Sequence, residues 1–159
     1  MEKEIVSNTS SIIFIGKLEI LNLVKNLYDK ILIPKEVMKE IFEYDKPENV
    51  YLQGEIGKFI KEVDIKEIKE FPIDVGERAA ISLCLKNNFY TFLSDDKKAR
   101  KYARALKIKT IGVLGIILEN LKKEKISKQE AKRLIKAIIE KGYFMTARLY
   151  HEVIEVIEG

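Results

Sequence analysis

The residues of this sequence best suited to chemistry are oxygen donors: Asn8, Glu40, Glu77, Asp95 and Asp96. Softer donors are nearly missing. A single cysteine, Cys84, forbids an internal disulfide and a thiolate cluster for zinc, and a single histidine, His151, removes His-rich metal sites and most acid–base triads. Any metal must therefore be held by oxygen, the donor set of a hard cation such as Mg²⁺. Taken singly, each acid has an ordinary reading. Asp74-x-x-Glu77 is a capping pair in which Glu77 reaches back to a backbone N–H. Glu40, beside Val37 and Tyr44 at the margin of an apolar stripe, reads as a solvated helix residue. Asp95 and Asp96 suit the positive end of a helix dipole, with Asp96 or Ser94 as the cap. Taken together, three or four acids at one edge of a net basic protein would repel one another without a cation between them.

Whether they share an edge depends on the elements that carry them. Ile5-Val6 reads as a short strand ending at Ser7-Asn8-Thr9-Ser10, a cluster able to cap a helix. Ile12, Ile13, Ile15, Leu18, Leu21, Val24 and Leu27 have helical spacing and predict two helices broken near Gly16. Lys30 to Ile33 reads as a second strand, with Pro34 at the first position of a helix reaching about Tyr44. Between Asp45 and Glu70 the pattern weakens to a helix-like patch over Tyr51 to Phe59 and an edge strand over Ile60 to Ile65. Asp74 then opens a helix to about Lys86, followed by a strand at Tyr90 to Leu93 and a helix from Asp95 to Leu106. A strand at Lys109 to Ile111 and a helix from Gly112 to Lys123 complete the alternation. Ser127 with Glu130 is a capping box for a helix to Glu140, and a last helix spans Thr146 to Glu158. Strands alternating with helices predict an α/β three-layer domain, a central mostly parallel sheet flanked by helices. The expectation is a single domain over 1–159, in which about 124–159 is a helical C-terminal addition.

In open parallel sheets the ligand crevice lies beyond the carboxyl ends of the strands. Asn8 leaves the first strand and Asp95 and Asp96 leave the Tyr90 to Leu93 strand, while Glu40 and Glu77 sit early in helices, so all of them can converge there. At about 100° per residue Glu77 falls on the side of Ala80, Ile81 and Cys84, where a carboxylate needs a partner. The next helix, Lys97-Lys98-Ala99-Arg100-Lys101-Tyr102-Ala103-Arg104, fits a solvated face and a phosphate-binding face equally well. Lys122, Lys123, Lys125, Lys128, Lys132, Arg133 and Lys136 have Glu neighbours and read as surface. His151 reads as a helix residue with no acid to orient it, and Cys84 as core.

Composition narrows the class. With 47% apolar residues in 159, the chain can bury a core and is not disordered. Eight Gly and three Pro are too few for a turn-dense β-sandwich. The 29 Lys plus Arg against 25 Asp plus Glu leave +4, which suits a polyanionic partner. No apolar run approaches the roughly 18 residues of a membrane span. Met1-Glu2-Lys3-Glu4 lacks the basic start of a signal peptide, so a cytoplasmic protein is expected. Gly112-Val113-Leu114-Gly115 lacks the Lys and hydroxyl of a phosphate loop.

The order of several stretches carries a resemblance. They are Val6-Ser7-Asn8-Thr9-Ser10, Ile33-Pro34-Lys35-Glu36-Val37-Met38-Lys39-Glu40-Ile41, Gly76-Glu77-Arg78-Ala79-Ala80, and Leu93-Ser94-Asp95-Asp96 with Lys97-Lys98-Ala99-Arg100. Thr110-Ile111-Gly112-Val113-Leu114-Gly115 and Gly142-Tyr143-Phe144 extend it to nearly the full chain. This series resembles the PIN-domain family of metal-dependent nucleases, and more closely a small prokaryotic branch related to VapC toxins. The resemblance implies an acidic pocket at Asn8, Glu40, Glu77 and Asp95, with Asp96 beside it, binding Mg²⁺ or Mn²⁺. Glu40, Glu77 and Asp95 would be its catalytic acids, and a metal-activated water would attack a phosphodiester of RNA. Lys97, Lys98 and Arg100 are the expected RNA contacts. The expected partners are RNA, an antitoxin-like protein and a second copy of the chain. Asn8 departs from the Asp usual at its position, and Ser11 stands where close relatives often have Pro. Two other readings stay open: a PIN-fold module that binds RNA or protein without turnover, and a dehalogenase-like phosphatase. The latter wants Asp-x-Asp after the first strand, where this chain has Asn8-Thr9-Ser10.

Overall fold

A computed structural model describes residues 3–159; Met1 and Glu2, part of the segment read for a signal peptide, lie outside the described residues. Five short strands form its sheet: β1 (Glu4–Ser7), β2 (Lys30–Pro34), β3 (Ile60–Val63), β4 (Thr91–Leu93) and β5 (Lys109–Ile111). Their order is β3-β2-β1-β4-β5 and every pairing is parallel. Alternate side chains therefore enter opposite layers. Ile5, Ile31, Ile33 and Leu93 face one apolar cluster, and Val6, Leu32 and Phe92 face another.

The larger layer collects α1 (Thr9–Leu18), α2 (Leu21–Lys25), α3 (Lys35–Ile41) and α4 (Glu48–Gln53). It also takes α7 (Val113–Lys122), α8 (Lys128–Glu140) and α9 (Ala147–Glu158). The second layer is built by α5 (Val75–Cys84) and α6 (Lys97–Ala105), whose Ala79, Ala80, Ala99 and Ala103 are fully buried. Small residues let these two helices lie close to the strands. The C-terminal helices share the core of the sheet, because Leu134, Ile135, Ile138, Val153 and Ile157 pack in the same cluster as Ile5. Among the described residues no helix is long and apolar enough to cross a membrane.

Several boundaries differ from the sequence reading, each for a local reason. The break expected near Gly16 falls at Glu19, which adopts φ 53° and ends α1. Gly16 lies inside α1 with Leu52 packed against it, where a Cβ would meet Leu52 Cγ at 3.0 Å. Pro34 closes β2 as extended backbone, φ −59° and ψ 149°, so α3 starts at Lys35. The same helix stops at Ile41, leaving Tyr44 64% exposed beyond its end. The patch at Tyr51 to Phe59 is helical only to Gln53, within α4, and then turns through Gly57 at φ 83°. The edge strand ends at Val63 rather than Ile65.

Candidate acidic site at the sheet switch point

The chain runs from β1 out through β2 to β3 and returns to β4 on the other side of β1. The carboxyl ends of β1 and β4 thus form the switch-point crevice of an open parallel sheet. Asn8 and Ser94 are the first residues beyond those ends, and Asn8 N–H donates to the Leu93 carbonyl at 3.2 Å. Asn8 is buried, 1% exposed, and every polar atom of its amide is engaged. Its Oδ1 caps α1 by accepting from Ser11 N–H at 3.1 Å. Its Nδ2 donates to Ser94 Oγ at 3.0 Å and more distantly to Glu77 Oε1 at 3.5 Å. The backbone donor at Ser11 orients the amide, because a flipped Asn8 would set two N–H groups against each other.

Asp95 lies on the other side of this bridge. Ser11 Oγ donates to Asp95 Oδ2 at 2.9 Å and accepts from Asp95 N–H at 3.1 Å. Val113 N–H, at the start of α7, donates to both carboxylate oxygens at 3.1 and 3.3 Å, which places the anion at the positive end of that helix. Tyr143 reaches in from the turn after α8, its hydroxyl donating to Asp95 Oδ1 at 3.2 Å. Burial first, and then the Asp95 charge, push the Tyr143 phenol up to about 12, so it stays a donor. Gly112 is required here: a Cβ would stand 2.5 Å from Asp95 Oδ1 and 2.9 Å from Arg100 Nη1.

Glu40, Glu77 and two capping residues crowd the near side. Asp74 caps α5 through Glu77 N–H at 3.2 Å, and Asp96 caps α6 through Ala99 N–H at 2.7 Å. Burial, then the charges of Asp74 and Asp96, push the Glu77 carboxyl up to about 7; the Asn8 amide opposes this and Glu40 adds to it. Glu40 is also raised, by burial first and then by Asp74 and Glu43, against an opposing Thr9 hydroxyl. Glu40 Oε1 and Thr9 Oγ1 are both buried, and although the Thr9 hydroxyl is near enough to favour the Glu40 anion, neither atom completes a well-formed hydrogen bond among the described residues. Gly76 makes room for that carboxylate, since a Cβ there would overlap Glu40 Oε1.

The structure thus brings Glu40 and Glu77 together with Asp74 and Asp96, sets Asn8 between them and Asp95, and turns Asp95 toward a different cleft. Among the described residues no three Asp, Glu, His or Cys side chains converge closely enough to hold a metal ion as they stand. The cleft at Asp95, about 840 Å³, is lined by Lys97, Arg100 and Arg104 but not by Lys98. No α6 cation forms an ion pair among the described residues, whereas Lys132, Arg133 and Arg148 on α8 and α9 all do. His151 pairs with Glu155 at 3.0 Å, an acid its own helix supplies and the sequence reading left out. Cys84 is buried.

Sequence reasoning did not place Asp74, Ser11, Ser94 or Tyr143 in the site. Asp74 and Ser94 had the signal of capping residues, and Ser94 instead accepts from Asn8 and from Asp96 N–H. Tyr143 is 48 residues from Asp95 and had no local signal.

Comparison with known proteins agrees with this layout. No match is found among curated proteins. Among solved structures, the chain is similar to a PilT N-terminus domain protein, SSO1118, from the hyperthermophilic archaeon Sulfolobus solfataricus P2. The TM-score is 0.60 at 19% identity, over 74% of this chain and 93% of that one. It is also similar to the PIN domain endonuclease Utp24, with a TM-score of 0.55 at 13% identity over 69% of this chain and 84% of that one. At these identities the likeness is one of fold. A family model described as a PIN domain matches residues 4–158, from the first residue of β1 to the last of α9. With the parallel sheet, its switch-point crevice and nearly the whole sequence matched, the chain belongs to the PIN-domain family.

Proposed function

We propose that the chain is a nuclease that hydrolyses phosphodiesters of RNA with Mg²⁺ or Mn²⁺ at the carboxyl edge of its sheet. One observation carries this reading: the Glu77 carboxyl lies 3.5 Å from the Asn8 amide and is crowded by the charges of Asp74, Asp96 and Glu40. Such crowding is unfavourable in a metal-free protein and favourable around a divalent ion. The donors are all oxygen, and Glu40 Oε1, buried without a well-formed hydrogen bond among the described residues, is the kind of atom an ion would satisfy. Glu77, Glu40 and Asp96 would hold the ion after adjustment of their side chains. When bound, it would lower the pKa of a water and neutralise charge on the phosphoryl oxygens.

The chain's own residues supply position and charge. Asn8 aims its amide at Glu77 and is an orienting residue, because its oxygen is already committed to Ser11. Asp95 is fixed by Ser11, Val113 and Tyr143 between the acidic edge and the basic cleft. Lys97 and Arg100 line that cleft, form no salt bridge among the described residues, and would draw the phosphate backbone along α6 independently of base sequence.

Cleavage of a labelled RNA tests the proposal. Wild type is expected to cleave with Mn²⁺ and to stop with chelator, and Glu40→Ala is expected to be inactive. A second reading, an RNA-binding module without turnover, is favoured by Asn8, which offers an amide N–H where an acid would offer an oxygen. RNA that is bound but intact under both metals would select it.

A further inference from the structure

Phe144 lies in the connection between α8 and α9 with 82% of its surface exposed, beside the cleft that Asp95 enters. Three aromatic rings, Phe14, Tyr143 and Phe144, line this cleft. Phe14 and Tyr143 pack with ring centroids 5.9 Å apart and planes tilted by 50°, and Tyr143 is tethered to Asp95 through its hydroxyl. Phe144 is the exposed ring of the three. Lys97, Arg100 and Arg104 line the same cleft, and none of them forms a salt bridge among the described residues. Arg104 spends only its Nε, on Thr110 Oγ1 at 3.1 Å, and Arg100 only a long contact at 3.4 Å to the Ser94 carbonyl. A volume of about 840 Å³ is enough for a nucleotide-sized ligand.

An apolar ligand would leave the cations without an anion, and an inorganic anion would leave the exposed ring uncovered. A single nucleic-acid strand satisfies both sets of residues, with a base on the ring and phosphates on the cations. Bases inside a duplex are stacked on one another and present no free face. We infer that Phe144 is a stacking platform for an unpaired base of single-stranded RNA, whose backbone runs along Lys97, Arg100 and Arg104 past Asp95. This rests on the RNA reading proposed above and adds to it a selectivity for single strands set by a residue outside the acidic edge.

The test uses the full chain in chelator, so that RNA is bound and not cut. Its probe is a short single-stranded RNA carrying a fluorescent purine analogue, compared with a hairpin duplex of the same composition. Stacking on wild type should quench the analogue. Phe144→Ala should abolish quenching and weaken single-strand binding by roughly 5- to 150-fold, the range found for loss of one aromatic–base contact. Phe144→Trp should restore both, and the duplex should bind Phe144→Ala as it binds wild type. Arg104→Gln should lower the salt dependence of binding, which Phe144→Ala should leave unchanged. Equal single-strand binding by Phe144→Ala and wild type would overturn the inference, as would an equal loss for the duplex. Tighter binding of poly-glutamate than of RNA, lost in Phe144→Ala, would make the cleft a protein-docking surface and also overturn it. Cleavage with Mn²⁺ is read separately on the same proteins. Quenching with no cleavage would refute the nuclease reading and leave the platform standing, and cleavage without quenching would do the reverse.

Discussion

Replacing Asn8 by Asp adds one charge at the centre of the site while keeping its shape. Asp caps a helix as well as Asn does, so the bond to Ser11 N–H survives. The Ser94 hydroxyl can turn its proton toward the new carboxylate. The change falls on Glu77, whose Oε1 now lies 3.5 Å from the Asn8 amide and would face a second anion instead. Two unit charges about 4 Å apart repel by about 4 kcal/mol at an effective dielectric of 20. Glu77 is partly exposed and, at about 7, already half protonated at neutral pH, so screening and protonation reduce this to about 1–2 kcal/mol. For a chain of this size that lowers Tm by about 2–8 °C without metal. The loss should shrink near about pH 5.5, where a protonated Glu77 can donate to the new carboxylate. The same charge attracts a divalent cation, and Mn²⁺ affinity should rise by about 10- to 100-fold, or about 1.4–2.7 kcal/mol. Thermal melts with and without Mn²⁺, beside calorimetric titration, measure both effects, and Asn8→Ser serves as a cap-preserving control. If Asn8→Asp moves neither Tm nor Mn²⁺ affinity, Asn8 is a helix cap only and Glu77 does not sense it.

Glu77 itself predicts a pH dependence. Its carboxyl is raised from 4.5 to about 7, so the neutral form suits the fold, and that stability, full below 4.5, is lost as pH rises through about 7. After discounting for exposure the loss is about 1–2 kcal/mol. Glu77→Gln should flatten it in chelator, and an unchanged slope between about pH 5.5 and about pH 8.5 would assign the dependence elsewhere. Gly76→Ala should cost less than about 1 kcal/mol, because better helix propensity offsets crowding. It should nevertheless cut RNA cleavage by about 10- to 100-fold by displacing Glu40 from its buried place, and full activity would show that Glu40 can work from elsewhere. Charge reversal at Lys97, Lys98 and Arg100 together should weaken RNA binding and flatten its salt dependence, with Lys98, outside the cleft, contributing least. Unchanged binding would return these residues to a solvated face.

Much of this architecture was legible because its signals are local. The Ser7-Asn8-Thr9-Ser10 cluster caps a helix wherever it occurs, and Asn8 does so here. The periodicity of Ile12, Ile15, Leu21 and Val24 produced the right helices, yet placed their break at a glycine rather than at Glu19, because Gly16 lies inside α1 to admit Leu52, a contact from far along the chain, rather than to end the helix. Ambiguity at Asp74 and Asp96 had a different source. Each is a true cap, and each also lies close enough to Glu77 to raise it, so the ordinary and the electrostatic roles coexist in one side chain. Strand order was not legible, because it depends on how layers pack. Tyr143 is the clearest loss: its hydroxyl reaches Asp95 only because α8 folds back onto α7.

The most direct test of the acidic edge is a single-turnover Mn²⁺ titration of RNA cleavage by wild type and Glu77→Gln. We expect wild-type cleavage to rise with Mn²⁺ and vanish in chelator. Glu77→Gln should cleave at least about 100-fold more slowly, with its Mn²⁺ midpoint moved to higher concentration. Cleavage that persists in chelator, or that proceeds in Glu77→Gln at the wild-type rate and midpoint, would contradict the assignment of this edge as the metal-dependent site.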